Sequence, residues 1–182
     1  DDYSLLAVQG PNSKSVVEKI CDKPLEMEYY HFIFAKVAGI DMIVSRTGYT
    51  GELGYELYFK GSEADAVKVW NALFDAGKDF GIQPVGLGAR DSLRLEMGFC
   101  LYGNDIDQTT NTLEAGLGWT IGWSKESFIG KQTLEAEKSR GVKKKLIGFE
   151  LVDRGIAREG CSIQINRKVV GKVTSGTFSP TL

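Results

Sequence analysis

The period of the apolar positions changes several times along the chain, and each change predicts an element. Leu5 to Val8 is a short apolar run closed by Gln9-Gly10-Pro11, a strand ending in a turn. Asn12 or Ser13 then caps a helix whose Val16, Val17 and Ile20 share one face. From Phe32 to Val44 the pattern predicts two strands, FIFAKV and IDMIVS, joined at Ala38-Gly39. After the glycine-rich turn GYTGELG, Tyr55, Leu57 and Phe59 alternate with Glu56 and Tyr58 along a strand from Tyr55 to Phe59.

The period then lengthens. Glu63 to Phe80 carries Ala64, Val67, Trp70, Leu73, Phe74 and Phe80 at three- and four-residue steps, a helix stopped by Gly81. Pro84-Val85-Gly86 opens a second helix through ARDSLRLEMG, and Ser127 to Arg140 gives a third, ended by Gly141. LIGFEL, SIQIN and VVGKVTSG read as short strands with polar turns, the beginning of a β-barrel or sandwich. The whole is an α+β fold without an internal repeat. An all-β module of about forty residues leaves unpaired edges and a thin core. With the chain stopping at FSPTL, that predicts a truncated chain, open to self-association with a second copy at those edges.

Composition narrows the function classes. The chain has 182 residues, enough for one domain or one domain and part of a second, and its 42% hydrophobic content is ordinary for a globular protein. Glycine stands out at 22 residues, bracketing the elements, which indicates tight turns and close backbone approaches. A formal charge of −2 gives no reason to expect nucleic acid, and Lys143, Lys144 and Lys145 read as the solvated entrance to an apolar strand. No apolar run approaches the ~20 residues of a membrane span. The acidic start, DDYSLLAVQGP, resembles neither a signal nor a transit peptide. Cys21, Cys100 and Cys161 are odd in number and widely spaced, which argues against a disulfide framework or metal knuckle and fits a reducing compartment. Cys100, inside MGFCLY, reads as core.

Three positions carry candidate chemistry. Glu56 faces away from Tyr55 and Leu57; it is either a solvent-facing strand residue or a carboxylate whose two oxygens accept from a planar amino-heterocycle. Arg90 and Arg94 share a helix face beside Asp91 and Glu96, as a surface ion-pair stripe or as a planar fork for a substrate carboxylate or carbonyl. The small residues of Gly86-Leu87-Gly88-Ala89 favour Arg90 for the second role, because a ligand can come close there. Tyr49, in RTGYTGE, is either an exposed turn residue or a ring stacked on a flat ligand. GYTGELG is neither a dinucleotide fingerprint nor a P-loop.

The ordered set RTGYTGELGYELY, GLGARDSLRLEMGFCLYGNDID, EAGLGWTIGW and KVTSGTFSP resembles the aminomethyltransferase, or T-protein, family of the glycine cleavage system. The resemblance runs from Leu5 to Pro180, and Gly86 to Asp107 is its most specific block. It implies a folate-binding region over 1–140 and the start of a C-terminal β-barrel domain over 141–182. It implies that Glu56 holds the pterin of tetrahydrofolate, that Arg90 belongs to the folate site, that Tyr49 lies against the cofactor, and that Trp119 of GLGWT is a further pocket wall. The implied reaction moves a one-carbon unit from an aminomethyl group on a lipoylated H-protein carrier to tetrahydrofolate, with ammonia released. The resemblance places the family's catalytic aspartate ahead of these residues, and Asp1 and Asp2 match no catalytic motif. The chain is therefore expected to hold folate without catalysing, in the bacterial cytoplasm or a mitochondrial matrix. Two related readings remain: the folate domain of a dimethylglycine- or sarcosine-oxidising protein, and a non-enzymatic folate-binding regulator. FCLYGNDID favours the transferase.

Overall fold

In the computed structural model, which describes residues 2–182 and leaves Asp1 outside, the alternating segments form one antiparallel sheet. Its strands are β1 (Ser4–Gln9), β2 (Phe32–Val37), β3 (Ile40–Ser45) and β4 (Gly54–Phe59), in the order β1-β4-β3-β2. They belong to the first of two compact units, Asp1–Met97. Ala38 and Gly39 both take positive φ, 52° and 81°, the two-residue turn whose twist matches a hairpin.

The strict alternation gives the sheet two unlike faces. Val8, Ala35, Val37, Met42, Val44, Tyr55, Leu57 and Phe59 are buried on one, against Val16 and Val17 of α1 (Ser13–Glu18) and Val69, Leu73 and Ala76 of α2 (Glu63–Gly77). The other face carries the cross-strand rows Leu5–Tyr58–Ile43–Phe34 and Ala7–Glu56–Ser45–Phe32. Register fixes this division, because a one-residue slip would exchange the faces.

The helices depart from the sequence pattern in instructive ways. Asn12 occupies the N-cap of α1 without a side-chain bond, and Ser13 instead donates to the Leu53 carbonyl, 3.1 Å. Of the expected face of Ala64, Val67, Trp70, Leu73, Phe74 and Phe80, only part is buried: Leu73 lies in the core and Phe80 packs against it. Ala66, Val69, Leu73 and Ala76 turn inward, while Ala64, Val67 and Trp70 are exposed. The helix has two apolar stripes, and the one with small residues permits the closer approach to the sheet. α2 ends at Gly77, a 3-10 turn carries the chain to Phe80, and Gly81 closes it at φ 69°. α3 is Leu87–Glu96.

A capping box starts α2. Ser62 donates through its backbone N–H and its hydroxyl to Asp65 Oδ2, both 2.8 Å, and Asp65 N donates back to Ser62 Oγ. The backbone and hydroxyl bonds from Ser62 lower the Asp65 pKa below its ordinary 3.8. Because the folded value is the lower one, the stabilisation is complete above 3.8 and is lost as pH falls through the depressed value. Asp65→Asn should therefore lower the denaturant midpoint at pH 7, and the gap to the parent should narrow as pH falls below 3.8. A gap that persists unchanged in acid would show that the carboxylate charge plays no part.

The second unit, Gly98–Leu182, is turn-rich. α4 is Lys131–Arg140, shorter than the expected Ser127–Arg140, because Gly130 at φ 87° breaks the backbone there. β5 (Ser162–Ile165) and β6 (Lys168–Lys172) form a hairpin. LIGFEL is not a strand: Leu146 donates one backbone bond to Glu114 O, 2.8 Å, and the segment joins no ladder among the described residues. The lysine run therefore leads into irregular chain, with Lys144 3.7 Å from Glu114. Asp105 ties distant segments together, accepting from Leu101 N at 2.9 Å, Thr174 Oγ1 at 2.5 Å and Ser175 Oγ at 3.0 Å. Cys100 is half-buried, not fully core, and none of the three cysteines is in a disulfide.

Candidate functional site

Glu56 stands near the middle of the open sheet face, with Ala7 on one side and Ser45 on the other. It is half-buried. Its Oε2 accepts from the Thr47 hydroxyl and from the Tyr58 hydroxyl, the latter at 3.0 Å. Tyr58 lies two residues on along β4 and so shares the face; Thr47 follows β3, within 3.0 Å of Ser45 Oγ. Both donors converge on one oxygen, which leaves Oε1 without a protein partner among the described residues. The carboxylate is thereby oriented, with one oxygen presented outward.

Two phenols record its charge. Burial first, then the hydrogen bond to Glu56 and its negative charge, push the Tyr58 pKa above 10. Burial, Tyr30 and the Glu56 charge raise Tyr29 likewise. Tyr58 thus remains a donor across the neutral range. The row Leu5–Tyr58–Ile43–Phe34 runs beside the carboxylate, with Phe34 exposed and its ring edge-on to Phe32 at 5.8 Å. A polar acceptor bordered by flat apolar surface suits a planar heterocycle with N–H donors on its edge.

Tyr49 and Arg90 meet. The Arg90 guanidinium carbon lies 4.6 Å from the centre of the Tyr49 ring, and Arg90 is exposed. The turn bearing Tyr49 is seated against the end of α3: Gly51 takes φ 80°, and a Cβ there would lie 2.4 Å from Met97 Sδ. At Gly86 and Gly88 a Cβ would meet nothing within 4 Å, so the backbone entering α3 is open to approach. Arg94, four residues on, is only 1% exposed and bonds Asp91 Oδ1 through Nε at 2.8 Å and Nη2 at 2.6 Å.

Of the four residues singled out, Tyr49, Glu56 and Arg90 belong to the first unit, and Tyr49 touches Arg90 directly. Trp119 belongs to the second, on the 3-10 turn Gly118–Thr120, and is 72% exposed. Sequence reasoning missed Thr47, Tyr58 and Gln9. Alternation would have found Tyr58; Gln9 carries no local signal.

Residues 1–125 match the family model described as the GCVT N-terminal domain, and 144–182 match the glycine cleavage T-protein C-terminal barrel domain. The chain is 55% identical over its whole length to an aminomethyltransferase of Halothermothrix orenii and 50% identical to one of Flavobacterium psychrophilum, covering 51% of each. It spans about half the length of these curated relatives. Among solved structures it is similar to the glycine cleavage system aminomethyltransferase T of Bartonella henselae: TM-score 0.87 and 32% identity, over 98% of this chain and 48% of that one.

Proposed function

This chain belongs to the glycine cleavage T-protein family, and from that premise we propose that it supplies the tetrahydrofolate-holding part of an aminomethyltransferase. The observation that carries the reading is Glu56, oriented by Thr47 and Tyr58 through Oε2 with Oε1 presented on an open, partly aromatic sheet face. Glu56 accepts from the N–H edge of the pterin, the row from Leu5 to Phe34 offers it a flat surface, and Arg90 stacked on Tyr49 offers a fork to a carbonyl or carboxylate.

Folate supplies two nitrogens, N5 and N10, which form the two new bonds to the carbon and leave it as a methylene bridge, their two protons passing to the departing thiol and ammonia. The unit comes from an aminomethyl group on the lipoyl arm of an H-protein; its bonds to sulfur and nitrogen break, ammonia leaves and the lipoyl thiol is left reduced. The residues named here position folate and exclude water, and none is assigned acid–base work. The boundary between folate region and barrel start is placed at 140/141, inside the interval that the matched spans leave between 125 and 144. No helix among the described residues is long and apolar enough to cross a membrane, and the relatives cited are bacterial; a cytoplasmic location is the corresponding proposal. The unladdered LIGFEL segment is where a second copy would pair, if the chain self-associates.

The test is calorimetry of this chain with tetrahydrofolate, followed by incubation with folate and aminomethyl-loaded H-protein. Saturable binding without methylenetetrahydrofolate above background is expected. No binding removes the folate reading of Glu56, and turnover would place the acid–base group among these residues.

A further inference from the structure

Gln9 ends β1 on the same sheet face as Glu56, paired with Gly54. Its side chain fills a slot between two glycines. A Cβ on Gly48 would lie 2.0 Å from Gln9 Oε1, and a Cβ on Gly54 would lie 2.0 Å from the same atom. Neither glycine takes a left-handed φ, and a Cβ at either would meet only the end of the Gln9 side chain, which would have to leave the slot. The amide held there is bonded at both ends. Nε2 donates to the Thr47 carbonyl at 3.2 Å and lies 3.4 Å from the Tyr55 carbonyl, while Oε1 accepts from Thr50 Oγ1 at 3.2 Å.

These partners bracket the site. Thr47 and Thr50 flank the loop that carries Tyr49, whose ring lies under Arg90. Thr47 also donates its hydroxyl to Glu56, and Tyr55 is Glu56's neighbour on β4. One amide therefore restrains the backbone on both sides of Tyr49 and beside Glu56. The eight residues between β3 and β4, with glycine at 48 and 51 and Gly54 opening β4, have high intrinsic freedom, and cross-links to a strand end remove it.

We propose that Gln9 is the positioning residue of this site, a strut that sets Tyr49 against Arg90 and Thr47 against Glu56. Its effect on ligand affinity rests on the folate reading above; its effect on the loop does not.

The two parts are separated by measuring both in the full chain. Arg90 side-chain protons lie over the Tyr49 ring, so their NMR signals should be displaced upfield. Gln9→Ala should collapse that displacement and weaken tetrahydrofolate binding by about tenfold, the order expected when a site is loosened. Gln9→Glu keeps the size but loses the Nε2 donor, and should do the same if Gln9→Ala fails to fold. Gly48→Ala should expel the amide and reproduce the defect, whereas Gln9→Ala with Gly48→Ala should be no worse than either alone. An undisturbed Arg90 signal in both Gln9 variants, or additive losses in the double variant, would overturn the strut. A collapsed Arg90 signal with unchanged folate affinity would overturn its role in the site. If the parent binds no folate, the ligand part falls with that reading, and the Arg90 signal still decides the strut.

Discussion

Glu56→Ala should weaken tetrahydrofolate binding to this chain by roughly 10- to 100-fold, because a hydrogen bond to a charged group contributes about 1.5–3 kcal/mol and each 1.4 kcal/mol is tenfold. The effect should be large for a reason visible in the geometry. Thr47 and Tyr58 both bond Oε2, so the carboxylate does not turn freely, and its second oxygen has no competing partner among the described residues. Little orientational freedom is lost when a ligand engages it. Glu56→Gln keeps the volume but replaces a charged acceptor with a neutral amide, and should fall between parent and alanine variant. Stability should change little in either, since Glu56 is half-buried and lies opposite the packed face of β4. Calorimetry reads the affinity and thermal denaturation the fold. Unchanged affinity in a folded Glu56→Ala protein would remove Glu56 from the site, while a collapsed melting temperature would mean that the carboxylate is chiefly structural.

What was legible in the sequence divides along a physical line. The hairpin at Ala38-Gly39 and the two faces of β4 follow from alternation and turn chemistry, both local, and they stand in the structure as expected. The existence of α2 was equally local, but the choice of face was not. Val67 and Trp70 are as apolar as Val69 and Leu73, and only the need of a helix to approach the sheet closely selects the smaller stripe. LIGFEL marks a different limit. A strand is a pairing, and an apolar segment without a ladder partner does not become one.

The site divides similarly. Residue type and resemblance single out Tyr49, Glu56 and Arg90; the structure adds the contact of Arg90 with Tyr49 and the bonds of Thr47 to Gln9 and Glu56. Tyr58 was within reach of alternation. Gln9 contacts Thr47 across 38 residues and Tyr55 across 46, and no periodicity reports a contact at such separations.

The two arginines of α3 should part company sharply when each is replaced. Arg94→Ala removes a guanidinium that is 1% exposed and doubly bonded to Asp91, whereas Arg90→Ala removes an exposed one resting on Tyr49. Breaking a buried ion pair costs about 3–5 kcal/mol; Asp91 is partly exposed, so the lower end applies, with a fall in Tm of roughly 6–12 °C for a chain this size. An exposed cation–ring contact is worth about 0.5–1 kcal/mol, so Arg90→Ala should shift Tm by no more than roughly 4 °C. Its effect should appear in folate affinity, because the fork is offered outward. Arg94→Met separates charge from packing: it fills much of the same volume, and should recover part of the stability lost in Arg94→Ala. The helix spacing that puts both side chains on one face says nothing of this difference. It arises because residue 94 is one turn further along, where the guanidinium is enclosed and reaches back to Asp91, while residue 90 lies where the Gly86–Ala89 entry stays open. Equal melting temperatures for the two alanine variants would contradict that division, and a folate affinity lowered by Arg94→Met but not by Arg90→Ala would move the binding fork from the first arginine to the second.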